Sequence, residues 1–181
     1  EFFDGATSLG TASLSAGSAT LNTSSLSVGT HSLTAVYAGD LTYAASTSSA
    51  HSHTVNQGST AISVTSTPNP SAFGQSVSIS ASLTIDAPGA GTTSGTVEFF
   101  DGATSLGTAS VVAGAASVNS SSLAVGSHNL TAVYSGAANF SGSTSSPALA
   151  QVVNGKASAT ALVSSLNPEV GGQSVTFTAT V

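Results

Sequence analysis

Glu98–Ser110 reads EFFDGATSLGTAS, and Glu1–Ser13 reads the same thirteen letters. The match continues more loosely to Gly39 and Gly136, with 29 identities over those 39 positions at an offset of 97. Asn69-Pro70 and Gly74-Gln75-Ser76-Val77 return as Asn167-Pro168 and Gly172-Gln173-Ser174-Val175, at an offset of 98. A period near 97 residues is too long for a solenoid unit and suits a small independent domain. Leading into the repeated block, Gly95–Phe100 reads as a strand with Val97 and Phe99 inward, and Asp101-Gly102 supplies a hairpin turn.

The same grammar extends in both directions. Gly, Ser and Thr interrupt every window long enough for a helix, and short alternating runs separated by turn signals take its place. Thr60–Thr65 reads as a first strand, ended by Pro68-Asn69-Pro70, where two prolines block ladder pairing. Gln75–Leu83 is a second, with Val77, Ile79, Ala81 and Leu83 on one face and serines on the other. A loop over Asp86–Ser94 leads to Gly95–Phe100. Then come Thr104–Val111, Ala115–Leu123, Ser127–Tyr134 and a broken seventh strand near Gly142–Val153. Seven antiparallel strands with one apolar face per sheet predict an immunoglobulin-like sandwich, since two such faces must bury each other. The fold class is therefore all-β, in tandem sandwiches, one complete and two partial. The predicted boundaries are 1–57 for strands three to seven of one repeat, 58–154 for a complete repeat, and 155–181 for strands one and two of the next.

Composition narrows the function. The chain carries one Lys+Arg, Lys156, against seven Asp+Glu, for a net charge of −6. Phosphate backbones need clustered Lys and Arg, so nucleic acid is excluded as a partner, and so is an anionic membrane surface. Hydrophobic content is 40%, with apolar runs too short for a membrane-spanning helix. Cysteine is absent, which removes disulfides, thiol nucleophiles and thiolate zinc sites. A nearly uncharged surface of Ser, Thr, Ala and Gly fits extracellular fibrous or cell-surface proteins.

As a set, several pieces resemble the bacterial Ig-like domain, group 3. They are Pro70 with Gly74-Gln75-Ser76-Val77, Gly95-Thr96-Val97, Phe99, Asp101-Gly102, Leu106-Gly107, Gly126, His128, Leu130-Thr131-Ala132-Val133-Tyr134, Gly136, Asn139-Phe140 and Gly142-Ser143. The resemblance runs along the whole chain in register with the repeat. It implies tandem modules of large secreted or surface-anchored bacterial proteins, which act as stalks, spacers and adhesins. The first copy carries the Gly39-Asp40 pair usual in that family, and the second has Gly136-Ala137.

Candidate sites are few. His31 and His128 recur on the inward parity of the sixth strand and read as closing one end of the core. Tyr37 and Tyr134, at the other end of that strand, resemble a tyrosine corner that ties a loop to the sheet. Asp4 and Asp101 read as turn residues. His51 and His53 have the one metal-like spacing, two residues apart on a strand and so on the same face. The second copy has Ala148 and Ala150 at the offset of 97, and no carboxylate adjoins. The acids Glu1, Asp4, Asp40, Asp86, Glu98, Asp101 and Glu169 are too scattered for calcium. No Gly-x-Ser-x-Gly elbow occurs and no carboxylate pair is evident. No cofactor is expected. The sequons at Asn22, Asn119, Asn129 and Asn139 matter only in a glycosylating host.

The chain starts in phase with the third strand and stops in phase with the end of the second. The expectation is a non-enzymatic structural repeat of a stalk, fibre or filament. It would self-associate or join neighbouring repeats, with 156–181 of one unit completing 1–55 of another. An adhesive module for glycan or protein, and an accessory region of a larger secreted enzyme, are the alternatives.

Overall fold

A computed structural model describes residues 1–181, and every regular element in it is a strand. Five form the first unit: β1 (Phe2–Asp4), β2 (Thr7–Gly10), β3 (Gly29–Tyr37), β4 (Ser46–Thr47) and β5 (His51–Val55). Nine form the central unit. They are β6 (Thr60–Thr67), β7 (Ser71–Ala72), β8 (Val77–Ile85), β9 (Thr96–Asp101), β10 (Thr104–Ser110), β11 (Ala115–Ser120), β12 (Gly126–Tyr134), β13 (Ser143–Thr144) and β14 (Leu149–Asn154). The last two, β15 (Ala161–Ser164) and β16 (Phe177–Thr180), form a ribbon.

The central unit is a sandwich of two sheets. One has the order β11-β8-β6, the other β10-β9-β12-β14-β7, with β13 added to the end of β12. Period-2 alternation builds the layer between them: Val77, Ile79, Ala81 and Leu83 from β8 are buried, as are Val97 and Phe99 from β9 and Leu130, Ala132 and Tyr134 from β12. Fifteen buried residues make one continuous core. Each fully buried Val, Leu, Ile or Phe contributes roughly 1.5–3 kcal/mol of transfer free energy.

Most expected strands stand where the alternation placed them, with shifted ends. The second begins at Val77 rather than Gln75, because Gln75 is spent on the turn before it: its Oε1 accepts the Ala72 N–H. The fifth stops at Ser120 rather than Leu123, where Leu123 turns inward to plug the core. The all-antiparallel expectation is corrected at one place. Ser71–Ala72 pairs parallel with Val153–Asn154, so the short segment that follows β6 and the last strand of the unit lie side by side pointing the same way.

The first unit repeats only the larger sheet, in the order β2-β1-β3-β4 with β5 on β3. Residues 18–23, equivalent to β11, form no strand. The physical reason is pairing: β11 is held only by β8, and the first unit has no counterpart of β8. Leu14 is 57% exposed, whereas its equivalent Val111 is 9% exposed. The ribbon has the opposite half. Its register, Leu162 opposite Ala179, is that of Val64 opposite Ala81 shifted by 98. Phe177 is 68% exposed, whereas its equivalent Ile79 is wholly buried.

Candidate interface between repeats

The recurring histidines are built into a clamp that repeats with the sheet. Gly102, at φ +57°, makes the tight reversal between β9 and β10 and leaves Asp101 as the last ladder residue, opposite Thr104. The Asp101 carboxylate turns back across β12. His128 Nδ1–H donates to Asp101 Oδ2 at 2.6 Å, and Nε2–H donates to the Ala124 carbonyl at 2.8 Å. Both partners are acceptors, so the two bonds are made together only when both ring nitrogens carry protons, as in the imidazolium. The carbonyl of Ala124 and the carboxylate of Asp101 both push its pKa up.

The first unit builds the same object from His31, Asp4 and the Ser27 carbonyl, at 2.6 and 2.8 Å. There Asp4 and then Ser27 hold the imidazolium, and His31 together with the Ser32 N–H draws the Asp4 pKa down. The clamp ties the hairpin turn to the loop ahead of the next strand. Sequence reading placed both histidines correctly on the inward face but did not join them to the aspartates. The available signal was the recurrence of Asp-Gly and His 27 residues apart in both copies.

The tyrosines split. Tyr134 Oη–H donates to the Ser94 carbonyl at 2.6 Å, tying the loop before β9 to the sheet. Tyr37 Oη–H instead donates to Asp40 Oδ2 at 2.8 Å. The other oxygen of Asp40 accepts the Thr42 and Tyr43 N–H groups, which draw its pKa down along with Tyr37. In the central unit the loop keeps its shape without that carboxylate, through a bond from the Ala137 N–H to the Phe140 carbonyl.

His51 and His53 both lie exposed on β5. Their equivalents need correction. Strand register sets His53 opposite His31 and Gln151 opposite His128, so His53 corresponds to Gln151 and His51 to Leu149, not to Ala150 and Ala148. The cause is one extra residue in Ser146-Pro147-Ala148 relative to Ser49-Ala50, and a slip of one residue exchanges the faces of a strand. No group of three His, Cys, Asp or Glu comes together anywhere in the structure.

Gln151 is the residue that sequence reading missed. It is wholly buried, and its Oε1 accepts Ser66 Oγ–H at 2.6 Å. Its Nε2 donates to the carbonyls of Pro68 and Val152 and to Ser71 Oγ. Beside it, Asn69 donates to the Ala150 carbonyl at 2.7 Å and accepts the Val152 N–H. These bonds fasten the incoming segment of the unit to its outgoing strand. A lone Gln among Ser, Ala and Val carries no sequence signature of burial.

The linker between the first two units is also fastened. Gly58 N–H donates to the Asn139 carbonyl, Ser141 N–H donates to Gly58, and the Gln57 amide donates to Ala137 and Ala138. A Cβ on Gly58 would sit 3.2 Å from the Phe140 ring, so a side chain there requires the ring to yield. A cleft of about 450 Å³ lies at this junction, between Leu26, Val28 and Val55 on one side and Pro88 and Phe140 on the other, with Asp86 its one ionisable group. A second groove, of about 420 Å³, runs along the open face of the first unit, lined by Phe2, Leu14, Ala19, Ala35 and Tyr37.

A search of curated proteins finds no match. Among solved structures, the chain is similar to the fibronectin(III)-like modules of Clostridium thermocellum CbhA, at 13% identity over 85% of this chain and 76% of that one, with a TM-score of 0.45. The family model for the bacterial Ig-like domain (group 3) matches residues 1–56 and again residues 64–154, one match per copy of the repeated sheet. The chain belongs to the bacterial Ig-like domain (group 3) family.

Proposed function

We propose that this chain is a load-bearing structural repeat of an extracellular stalk or fibre, divided into repeats at 1–57, 58–154 and 155–181. Ig-like modules are generally non-catalytic, and we assign the chain no reaction. The observation that carries the reading is the fastening of β7 to β14. The two segments are parallel, so a pull on the two ends of the unit shears the contact instead of unzipping it. The Gln151 and Asn69 bonds then lie side by side and must break together. The pinned linker at Gln57-Gly58 passes load from one repeat to the next. Repeats with an open face are covered by strands of another repeat. The surface-rich Ser, Thr, Ala and Gly composition supports an extracellular setting.

Single-molecule pulling on the full chain tests this. Rupture of the central unit should give a distinct force peak. It should then release the length of 97 residues, 58–154, at about 3.3–3.6 Å each, roughly 320–350 Å. Smooth extension without a peak would sink the load-bearing reading.

A further inference from the structure

At Asp4-Gly5, Asp101-Gly102 and Asn154-Gly155 an acid or its amide directly precedes glycine. Such pairs are chemically fragile, and Asn is among the thermolabile residues. The main-chain nitrogen of the glycine attacks the side-chain carbonyl carbon of the residue before it and closes a five-membered imide. Glycine has no Cβ to obstruct that approach and turns easily into the conformation that allows it. Closure needs a side-chain carbonyl free to rotate and a glycine N–H free to give up its proton.

The fold withholds both at the two aspartates. The Asp101 carboxylate accepts from His128 Nδ1–H at 2.6 Å and from the Asn129 N–H, and the Gly102 N–H donates to the Asn129 carbonyl at 3.0 Å. Asp4 and Gly5 are held in the same way, by His31 and by the N–H and carbonyl of Ser32. The histidine clamp thus guards each hairpin turn against imide formation.

Asn154 is the opposite case. It is the last residue of β14, and its side chain is exposed. Neither its amide nor the Gly155 N–H takes part in the hydrogen bonding of the unit. One bond, from the Phe73 N–H to the Asn154 carbonyl at 2.8 Å, holds the peptide that must turn, at the end of the two-residue β7–β14 ladder. The first linker supplies a contrast within the same molecule. Asn56 follows β5 as Asn154 completes β14, at an offset of 98, and it is exposed in the same way beside a complete repeat. The next residue there is Gln57, whose Cβ crowds the attack and whose side chain is pinned to the Ala137 and Ala138 carbonyls.

The structure assigns Asn154 as a site of spontaneous deamidation at the exit of the central unit, with water as the co-reactant. Gly155 N gives its proton to hydroxide and bonds to Asn154 Cγ. The Cγ–Nδ2 bond breaks, and Nδ2 takes a proton from water and leaves as ammonia. Water then opens the imide. Addition at Cγ gives Asp in an unaltered main chain. Addition at the main-chain carbonyl carbon breaks its bond to Gly155 N, and the chain then runs through Cβ and Cγ as isoaspartate. Either product sets a new negative charge two residues before Lys156, the one cation of the chain, and isoaspartate also lengthens the linker by a CH2 group.

Ageing of the full chain at mildly alkaline pH, followed by peptide mapping in the mass spectrometer, tests this beside a synthetic peptide of residues 148–158. Asn154 should convert to a mixture of Asp and isoaspartate about tenfold faster than Asn56 does. The rate should rise with pH, because Gly155 N must lose its proton. Gly155→Gln should slow the conversion about tenfold. Gly155 lies outside the strands, its φ is not left-handed and a Cβ there meets no atom within 4 Å, so this variant folds as the parent does. Asn154 still intact when the peptide has converted would overturn the inference. So would equal rates at Asn154 and Asn56, isoaspartate forming at Asp101 as fast as at Asn154, or a Gly155→Gln variant that ages like the parent.

Discussion

At the scale of single residues, the clearest device is an imidazolium held between a carboxylate and a carbonyl. It makes stability depend on pH with a definite sign. The folded pKa values of His31 and His128 lie above the ordinary imidazole value of 6.5. Their contribution is therefore complete below that value and disappears as the pH rises through the raised one. The Asp4 pKa is lowered from 3.8, so its share is complete above 3.8 and is lost only as the pH falls below it. In the central unit Gln151 stands across from His128, and Asp101 is the one ionisable partner of that ring. The stability of that unit against denaturant should therefore fall as the pH rises from 6 through the raised His128 value. Asp101→Asn should lower stability by about 1 kcal/mol near pH 6 and flatten this dependence. In the first unit His53 stands opposite His31 in the β3–β5 register. Gln151→Leu is the second test at this scale. It strands Ser66, Ser71 and the Pro68 carbonyl without their partner, and should cost about 1–3 kcal/mol by chemical denaturation.

At the scale of elements, alternation and turn chemistry made most strands legible. Val77, Ile79, Ala81 and Leu83 against serines leave one reading of β8, and Asp101-Gly102 leaves one reading of the next hairpin. Legibility failed where an element is set by its partner. Residues 18–23 have the same alternation as β11 yet form no strand, because ladder bonds need a second strand and the central unit supplies it from β8. The parallel β7–β14 contact is two residues long and has no periodicity to read. The candidate site was legible in its residues but not in their pairing. His128 and Asp101 stand 27 positions apart, and only the fold brings them to 2.6 Å. The same contrast gives a prediction. Phe99→Ala empties a fully buried position and should destabilise the central unit by about 3–5 kcal/mol. Phe2→Ala, at a half-buried position on an open face, should cost much less in the dilute chain, as read from separate unfolding transitions.

At the scale of the whole molecule, one sheet is built twice and its facing sheet once, with the remaining ribbon carrying the first strands of another. An apolar face left open is costly, and an unpaired edge invites a strand of the right register. The central claim is that the parallel β7–β14 contact, fastened by Gln151 and Asn69, bears load along the chain. Single-molecule pulling on the full chain, parent beside Gln151→Leu, tests it most directly. The account predicts a lower rupture force for the variant with the released length unchanged. Equal rupture forces in the two proteins would contradict it.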